Sequence, residues 1–143
     1  MKILSVKPDH DGAIAYIDDG ELLFSLEGEK DSGYRHAGVS ADLMARALAM
    51  APDVPDVIAV GGWHQPRGDL YRDLATGYLG LHELRTGDGQ FLGKPVQMFS
   101  SSHERSHVYM AVAMAPMAPV RECIILVWEG RQPRSSSDRK WVL

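Results

Sequence analysis

Two histidines four residues apart form the pattern in this chain with the clearest chemical meaning. His103 and His107 follow Ser102, a residue type that commonly caps the start of a helix. Side chains four residues apart share one face of an α-helix, so both imidazoles can reach a single metal ion. The same letters spell H-E-x-x-H, in which Glu104 would be the general base of a zinc protease. The first question is therefore which kind of metal site this helix carries.

The elements that position this helix are predicted from apolar runs and turn residues. Residues 3–6, 13–17 and 22–26 are strand-like, and Asp18-Asp19-Gly20 favours a hairpin turn between the last two. Ser40 begins an Ala/Leu/Met-rich helix over roughly 41–51, which Pro52 ends. Two further apolar runs, 57–60 and 124–128, are typical of buried strands on either side of the histidine helix. Residues 96–99 form one more candidate strand, and 62–95 are not assigned.

The resulting order is β-β-β-α-β-α-β, which predicts an α/β fold with a five-stranded mixed sheet. This order is typical of the ribonuclease-H-like unit that is duplicated in the actin, Hsp70 and sugar-kinase ATPases. Crossover connections place the loops after successive parallel strands at one edge of a sheet. We therefore expect residues 9–12, residues 61–64 and the pair Glu129-Gly130 to converge there.

Composition excludes several other classes of protein. The 143 residues suit one domain, and the net charge of −4 with scattered Lys and Arg argues against a nucleic-acid partner. No apolar stretch reaches the roughly 18 residues of a membrane span. The chain enters its first strand too soon for a signal peptide, so a cytoplasmic location is expected. The single cysteine, Cys123, adjoins an apolar run and is expected to be a buried hydrophobe.

Motifs spread over residues 1–130 resemble one known family. The segments that carry the resemblance are KPDHDGA (7–13), LLFSLEGEKDS (22–32), RH (35–36), PDV (55–57), GGW (61–63), FSSSHERSH (99–107), MAVAMAP (110–116) and LVWEG (126–130). Together they resemble the N-terminal part of the O-carbamoyltransferases related to nodulation protein NodU. The match is strongest to the branch that carbamoylates 3-hydroxymethylcephem in cephamycin biosynthesis.

The resemblance implies an activity and the residues for it. The full-length family transfers a carbamoyl group from carbamoyl phosphate, with ATP, to a hydroxyl of a small metabolite such as 3-hydroxymethylcephem. It implies a divalent metal, iron or zinc, held by His103 and His107 with a carboxylate from later in the chain. It also implies that His10 is the catalytic base. In such proteins a separate downstream domain makes carbamoyl-adenylate.

Further residues are candidates for binding phosphate, nucleotide or substrate. They are Asp11, Gly12, Glu29, Arg35, His36, Glu129 and Gly130. Backbone amides around the two glycines can approach phosphate oxygens because no side chain intervenes. Two alternatives stay open. His10 with Asp11 also suits a simple turn, and the 29–36 residues also suit a solvated loop.

Three interpretations of the whole chain follow. Residues 1–130 are predicted to be the N-terminal ribonuclease-H-like subdomain of a carbamoyltransferase, and 131–143 a disordered tail outside the family pattern. The second interpretation is a non-catalytic remnant of the same fold. The third is a zinc hydrolase, for which the only glutamates after the helix, Glu122 and Glu129, lack a suitable setting. Half of a two-lobed fold also predicts exposed apolar surface and a possible homo-oligomer.

Overall fold

A computed structural model describes residues 1–61, 84–114, 124–125 and 141–142. A six-stranded sheet is built from β1 (Lys2–Lys7), β2 (Ala13–Asp18), β3 (Glu21–Glu27), β4 (Val57–Val60), β5 (Leu84–Phe91) and β6 (Lys94–Ser101). The helices in these ranges are α1 (Gly28–Ser32), α2 (Ala41–Met50) and α3 (His103–Met114). None of the helices in the described part of the chain is long and apolar enough to cross a membrane.

The sheet is mixed, with its parallel strands in the middle. Its order is β3-β2-β1-β4-β6-β5. The first three strands form an antiparallel meander, and β5 pairs with β6 as an antiparallel hairpin. Strand β4 pairs in parallel with β1 on one side and with β6 on the other. The carboxyl ends of these three parallel strands therefore lie at one edge, as the predicted crossovers require.

Alternate strand residues and one helix face form the core. Leu4 in β1 and Ile14 and Tyr16 in β2 are fully buried, as are Leu43 and Ala47, which lie four residues apart in α2. The spacing of two in strands and four in the helix is what each geometry needs to aim side chains at one layer. Since burial of one large apolar side chain is worth roughly 1.5–3 kcal/mol, this layer anchors α2 to the meander.

The predicted start of α2 is confirmed. The Ser40 hydroxyl accepts a hydrogen bond of 3.0 Å from the Leu43 amide, which satisfies a backbone donor that has no partner within the helix. The helix ends at Met50, two residues before Pro52. The short α1 was not expected, because residues 28–39 are polar and rich in turn formers.

The predicted count of five strands is wrong, because the sheet has six. The candidate strand 96–99 lies within β6, which pairs in parallel with β4, whereas the fifth strand of the prediction was 124–128. Ile124–Ile125 (β7) instead pairs with Trp141–Val142 (β8) in a separate two-stranded ladder, and 126–128 lie outside the described residues. An apolar run predicts that a strand forms but does not predict which strand it pairs with. The extra strand β5 contains two glycines and no apolar alternation, so its sequence does not predict it.

The apolar residues that follow the two histidines in α3 do not form one packed face within the described range. Val108 is fully buried, but Met110, Val112 and Met114 are exposed. Apolar residues at nearly every position from 108 to 114 surround the helix instead of forming one stripe. The sheet can cover only one side of such a helix. Ala115 lies outside the described residues.

Asp53 joins three parts of the chain around the end of the sheet opposite the site edge. Its carboxylate accepts hydrogen bonds from Lys2 Nζ at 2.7 Å and the Val54 amide at 2.8 Å, with Lys94 Nζ at 3.4 Å. Its carbonyl oxygen accepts from the Tyr16 hydroxyl at 3.0 Å. The Lys2 hydrogen bond, then the Val54 amide, lowers the pKa of the Asp53 carboxyl from 3.8 to about 2. The carboxylate is thus favoured in the folded state.

We predict that Asp53→Asn lowers the urea midpoint of unfolding at pH 7. A carboxyl whose pKa is lowered on folding contributes stability that is complete above its ordinary pKa of 3.8 and is lost as the pH falls through about 2. The difference between wild type and variant should therefore shrink across that interval. Asp88→Asn, a change of the same charge at an exposed position in β5, is the control. Equal midpoints for wild type and Asp53→Asn at pH 7 would contradict the prediction.

Candidate functional site

One carboxylate joins two histidines from separate loops. Asp11 accepts a hydrogen bond from His36 Nδ1 through Oδ1 at 2.9 Å, and its Oδ2 lies 2.8 Å from His10 Nδ1 as an ion-pair contact. The two imidazole rings stack with their centroids 4.2 Å apart and an angle of 18° between their planes. We call these three residues the His10 cluster. The alternative of a simple turn pair does not account for His36, which is 25 residues further along the chain.

Close backbone contact between two loops brings the His10 cluster together. The Gly12 amide donates to the Ala37 carbonyl at 2.8 Å, and the Val39 amide donates to the Pro8 carbonyl at 2.8 Å. A Cβ on Gly12 would lie 2.4 Å from the Val39 nitrogen, and one on Gly28 would lie 2.4 Å from the Gly38 carbonyl oxygen. Only residues without side chains allow this approach. The loops at 8–12 and 37–39 therefore form one rigid platform.

The Gly12 amide has a partner within this platform. It is buried and donates to the Ala37 carbonyl, so it is not itself free for a phosphate oxygen. The missing side chain allows the loop packing, and phosphate binding by the amides around Gly12 stays a prediction.

Glu29 fixes the position of His36 from the other side. The Glu29 carboxylate, half-buried in α1, accepts from the His36 amide at 3.0 Å. His36 has a φ of 62° and Asp11 a φ of 55°, both in the left-handed region that non-glycine residues seldom adopt. Two such residues facing each other in one cluster mark a backbone that the surroundings hold in place. Arg35, the neighbouring candidate, is exposed in the same loop.

Hydrogen bonding favours the ionised form of Asp11. The bond from His36 makes the largest contribution and, with the charges of both histidines, lowers the pKa of the Asp11 carboxyl below its usual value. An ionised carboxylate at this point favours a proton on the Nδ1 of His36 that faces it.

The two histidines that were predicted to bind a metal ion in α3 bring their ring nitrogens together. His103 Nε2 and His107 Nε2 lie 3.0 Å apart, and the rings meet edge to face at 4.4 Å. Two nitrogens bound to one tetrahedral zinc ion at about 2.0–2.1 Å are separated by about 3.3 Å, slightly more than the distance between these two. Ser102 caps the helix by accepting from the Arg105 amide at 3.1 Å, as predicted, and is fully buried. The pair therefore fits a metal ion as two of its ligands.

The His10 cluster and the histidine pair occupy the same edge of the sheet. His10 follows β1 and His103 follows β6, and both strands run parallel to the β4 strand between them. Two strand spacings separate β1 from β6 by about 10 Å. Gly61, after β4, donates its amide to the Val6 carbonyl at 2.8 Å and so stays beside β1. The predicted contributions of residues 62–64, Glu129 and Gly130 lie outside the described residues.

Sequence reasoning named the members of this site but not their connections. It did not predict that Asp11 bridges two imidazoles or that Glu29 holds the backbone of His36. The glycines at 12, 28 and 38 were the available signal, since glycines in two distant loops are what a close backbone crossing requires.

The class of protein that the chain resembles is the O-carbamoyltransferases, over their N-terminal part. It is 45% identical over 130 residues to 3'-hydroxymethylcephem-O-carbamoyltransferase of Amycolatopsis lactamdurans and 45% identical over 134 residues to that of Streptomyces clavuligerus. Each alignment covers 91% of this chain and 25% of the relative. The resemblance predicted from the motifs is thereby confirmed.

A relative of lower sequence identity matches the same share of this chain. The chain is 32% identical over 151 residues to Nodulation protein U of Rhizobium tropici, covering 91% of this chain and 26% of that protein. No family profile matches the chain, and no solved structure matches it. The chain spans about a quarter of the length of the curated relatives it matches.

We predict that Gly12→Ala destabilises the protein and separates the two loops of the site. The new Cβ would meet backbone atoms at 2.4 and 2.5 Å, which cannot move aside as a flexible side chain would. Overpacking of this kind costs roughly 1–3 kcal/mol. Urea unfolding measures the stability, and the NMR shifts of the His10 and His36 rings measure the loss of their stacking.

Gly61→Ala is the matched control for this substitution. A Cβ at Gly61 would meet its nearest neighbour, the Val6 carbonyl oxygen, at 4.0 Å, and both changes restrict the unfolded chain equally. Wild-type stability and unchanged ring shifts in Gly12→Ala would disprove the role assigned to this glycine.

Proposed function

We propose that this chain forms the acceptor-side part of an O-carbamoyltransferase that carbamoylates a hydroxyl of a small metabolite such as a 3-hydroxymethylcephem. The observation that carries the proposal is the similarity to two hydroxymethylcephem carbamoyltransferases over 91% of the chain. The arrangement of His10 on Asp11 at the same sheet edge as His103 and His107 supports it.

His10 is the proton acceptor in this proposal. With a proton on the His10 Nδ1 that lies 2.8 Å from Asp11 Oδ2, the lone pair of Nε2 accepts the hydroxyl proton of the metabolite. As the hydroxyl oxygen loses its proton to His10, it attacks the carbamoyl carbon. A new C–O bond forms, and the bond from that carbon to the leaving group breaks. The side chain of His10 is 61% exposed, which leaves room for an acceptor molecule beside it.

His103 and His107 hold a divalent metal ion, iron or zinc, in the same proposal. Their Nε2 atoms converge at 3.0 Å, and a carboxylate from later in a longer chain would complete the ligand set. When bound, such an ion supplies positive charge that stabilises negative charge developing on the carbamoyl oxygen or its leaving group.

The donor side lies beyond this chain in the proposal. The relatives are about four times as long, and we assign activation of carbamoyl phosphate by ATP to the part that this chain does not match. We place the reaction in the cytoplasm. The antiparallel meander followed by two parallel strands supports a ribonuclease-H-like fold for this part. Arg35, exposed and next to His36 in the chain, is a cation that can contact an anionic substrate.

We predict that a chimera with this chain in place of the matching quarter of the Amycolatopsis relative carbamoylates 3-hydroxymethylcephem. Carbamate formation from carbamoyl phosphate and ATP is measured by mass spectrometry. His10→Gln in the chimera should lower kcat/KM about 100-fold or more, because general-base catalysis contributes factors of that size. A folded chimera without turnover would favour a non-catalytic remnant and overturn the proposal.

Glu104→Gln is the control that separates this activity from a zinc hydrolase. Glu104 follows the first metal-binding histidine and has no part in carbamoyl transfer, so the chimera carrying Glu104→Gln should keep its turnover. Peptide hydrolysis by the wild-type chain that Glu104→Gln abolishes would instead support the H-E-x-x-H interpretation.

A further inference from the structure

We propose that the His10 cluster is a second binding site for a divalent transition-metal ion of the zinc type, separate from the histidine pair in α3. One ligand atom from each of His10, Asp11 and His36 lies within 4.8 Å of the other two. Two imidazoles and one carboxylate form a donor set that zinc, cobalt and iron(II) accept.

The distances between donor atoms are close to those of a metal site. The carboxylate oxygens of Asp11 lie 2.8 and 2.9 Å from the two Nδ1 atoms. Donors bound to one zinc ion at about 2.0–2.2 Å are separated by about 3.3 Å in a tetrahedron. Because the two rings stack nearly parallel and each nitrogen lone pair lies in its ring plane, the exposed side chains would have to rotate so that both Nδ1 atoms point at the ion, which would replace the two Nδ1 protons as the link between the rings and the carboxylate.

Access to the cluster is open on the solvent side. The side chains of His10, Asp11 and His36 are 61%, 49% and 45% exposed. Three protein ligands with water at the remaining positions is the arrangement of metal sites that stay open to exchange. Solvent exposure weakens the ion pairs within the cluster. The same exposure allows water molecules to complete the ligand set of a bound metal ion.

The ligands are held in place before any ion arrives. The Gly12–Ala37 and Val39–Pro8 hydrogen bonds lock one loop against the other, and Glu29 holds the His36 amide. A cluster assembled by chance from mobile side chains would lose conformational entropy on binding an ion. Here the backbone has already undergone most of that ordering.

Metal binding here and proton acceptance by His10 exclude each other. With Nδ1 bound to the ion, the ring proton moves to Nε2, and that nitrogen no longer accepts a proton. The inference itself rests on the cluster geometry and stands whether or not the chain takes part in carbamoyl transfer.

The test is a titration of the metal-free full chain with Zn²⁺ by calorimetry and with Co²⁺ by visible absorption. Four proteins are compared: wild type, His36→Gln, the double variant His103→Gln/His107→Gln, and Arg35→Gln as a control in the same loop as His36. Histidine ring signals in NMR spectra identify which site fills, and circular dichroism verifies that each variant is folded.

We expect the double variant to bind one equivalent of Zn²⁺ with shifts confined to His10 and His36. His36→Gln should weaken this event about 100-fold or more while Arg35→Gln leaves it unchanged, since loss of a ligand exceeds the 10–100-fold effect of losing an outer partner. A folded double variant that binds no Zn²⁺ overturns the inference, as does binding that His36→Gln does not weaken. If zinc binds to the cluster but not to His103 and His107, the result contradicts the metal of the proposed function and not the inference about this cluster.

Discussion

Parallel pairing of β4 with β1 on one side and β6 on the other is the constraint on which the site depends. The ladders from Ile3↔Val57 to Val60↔Ser100 give the three strands one direction, so whatever follows them lies at one edge. Neither the His10 cluster nor the histidine pair would face the other if either ladder were antiparallel. The antiparallel meander and the β5–β6 hairpin extend the sheet on both sides without changing that edge.

Glycines that lack side chains are as important to the site as the side chains that form it. The two loops of the site cross at distances that a Cβ at Gly12 or Gly28 would forbid. The crossing places Asp11 between the imidazoles of His10 and His36, which are 26 positions apart in the chain, and its carboxylate oxygens lie 2.8 and 2.9 Å from their Nδ1 atoms. The position of His10 thus depends on backbone packing one residue beyond the cluster.

Sequence patterns that act within a few residues predicted the structure correctly. The pairing of distant strands and loops was not predicted from such patterns. The meander, the Ser40-capped helix and the Ser102-capped histidine helix follow from turn residues, caps and periodicity, all of which act within a few residues. The place of each strand in the sheet depends on neighbours distant in the chain. Hence Ile124 and Ile125 were assigned to the main sheet although they pair elsewhere. The bridging of Asp11 to His36 escaped prediction for the same reason, because it arises from a crossing of two loops.

The separation in sequence of the paired strands also sets the order in which the site can assemble. Every residue of the His10 cluster and its platform lies between 8 and 39, beside a meander of local contacts, and both α3 histidines lie in a single helix turn. The β1–β4 ladder must instead close a loop of more than fifty residues, as Ile3↔Val57 indicates. Loop closure of that length is slow compared with hairpin and helix formation. Each half of the site can thus form early in folding, and the late step is the one that sets them side by side.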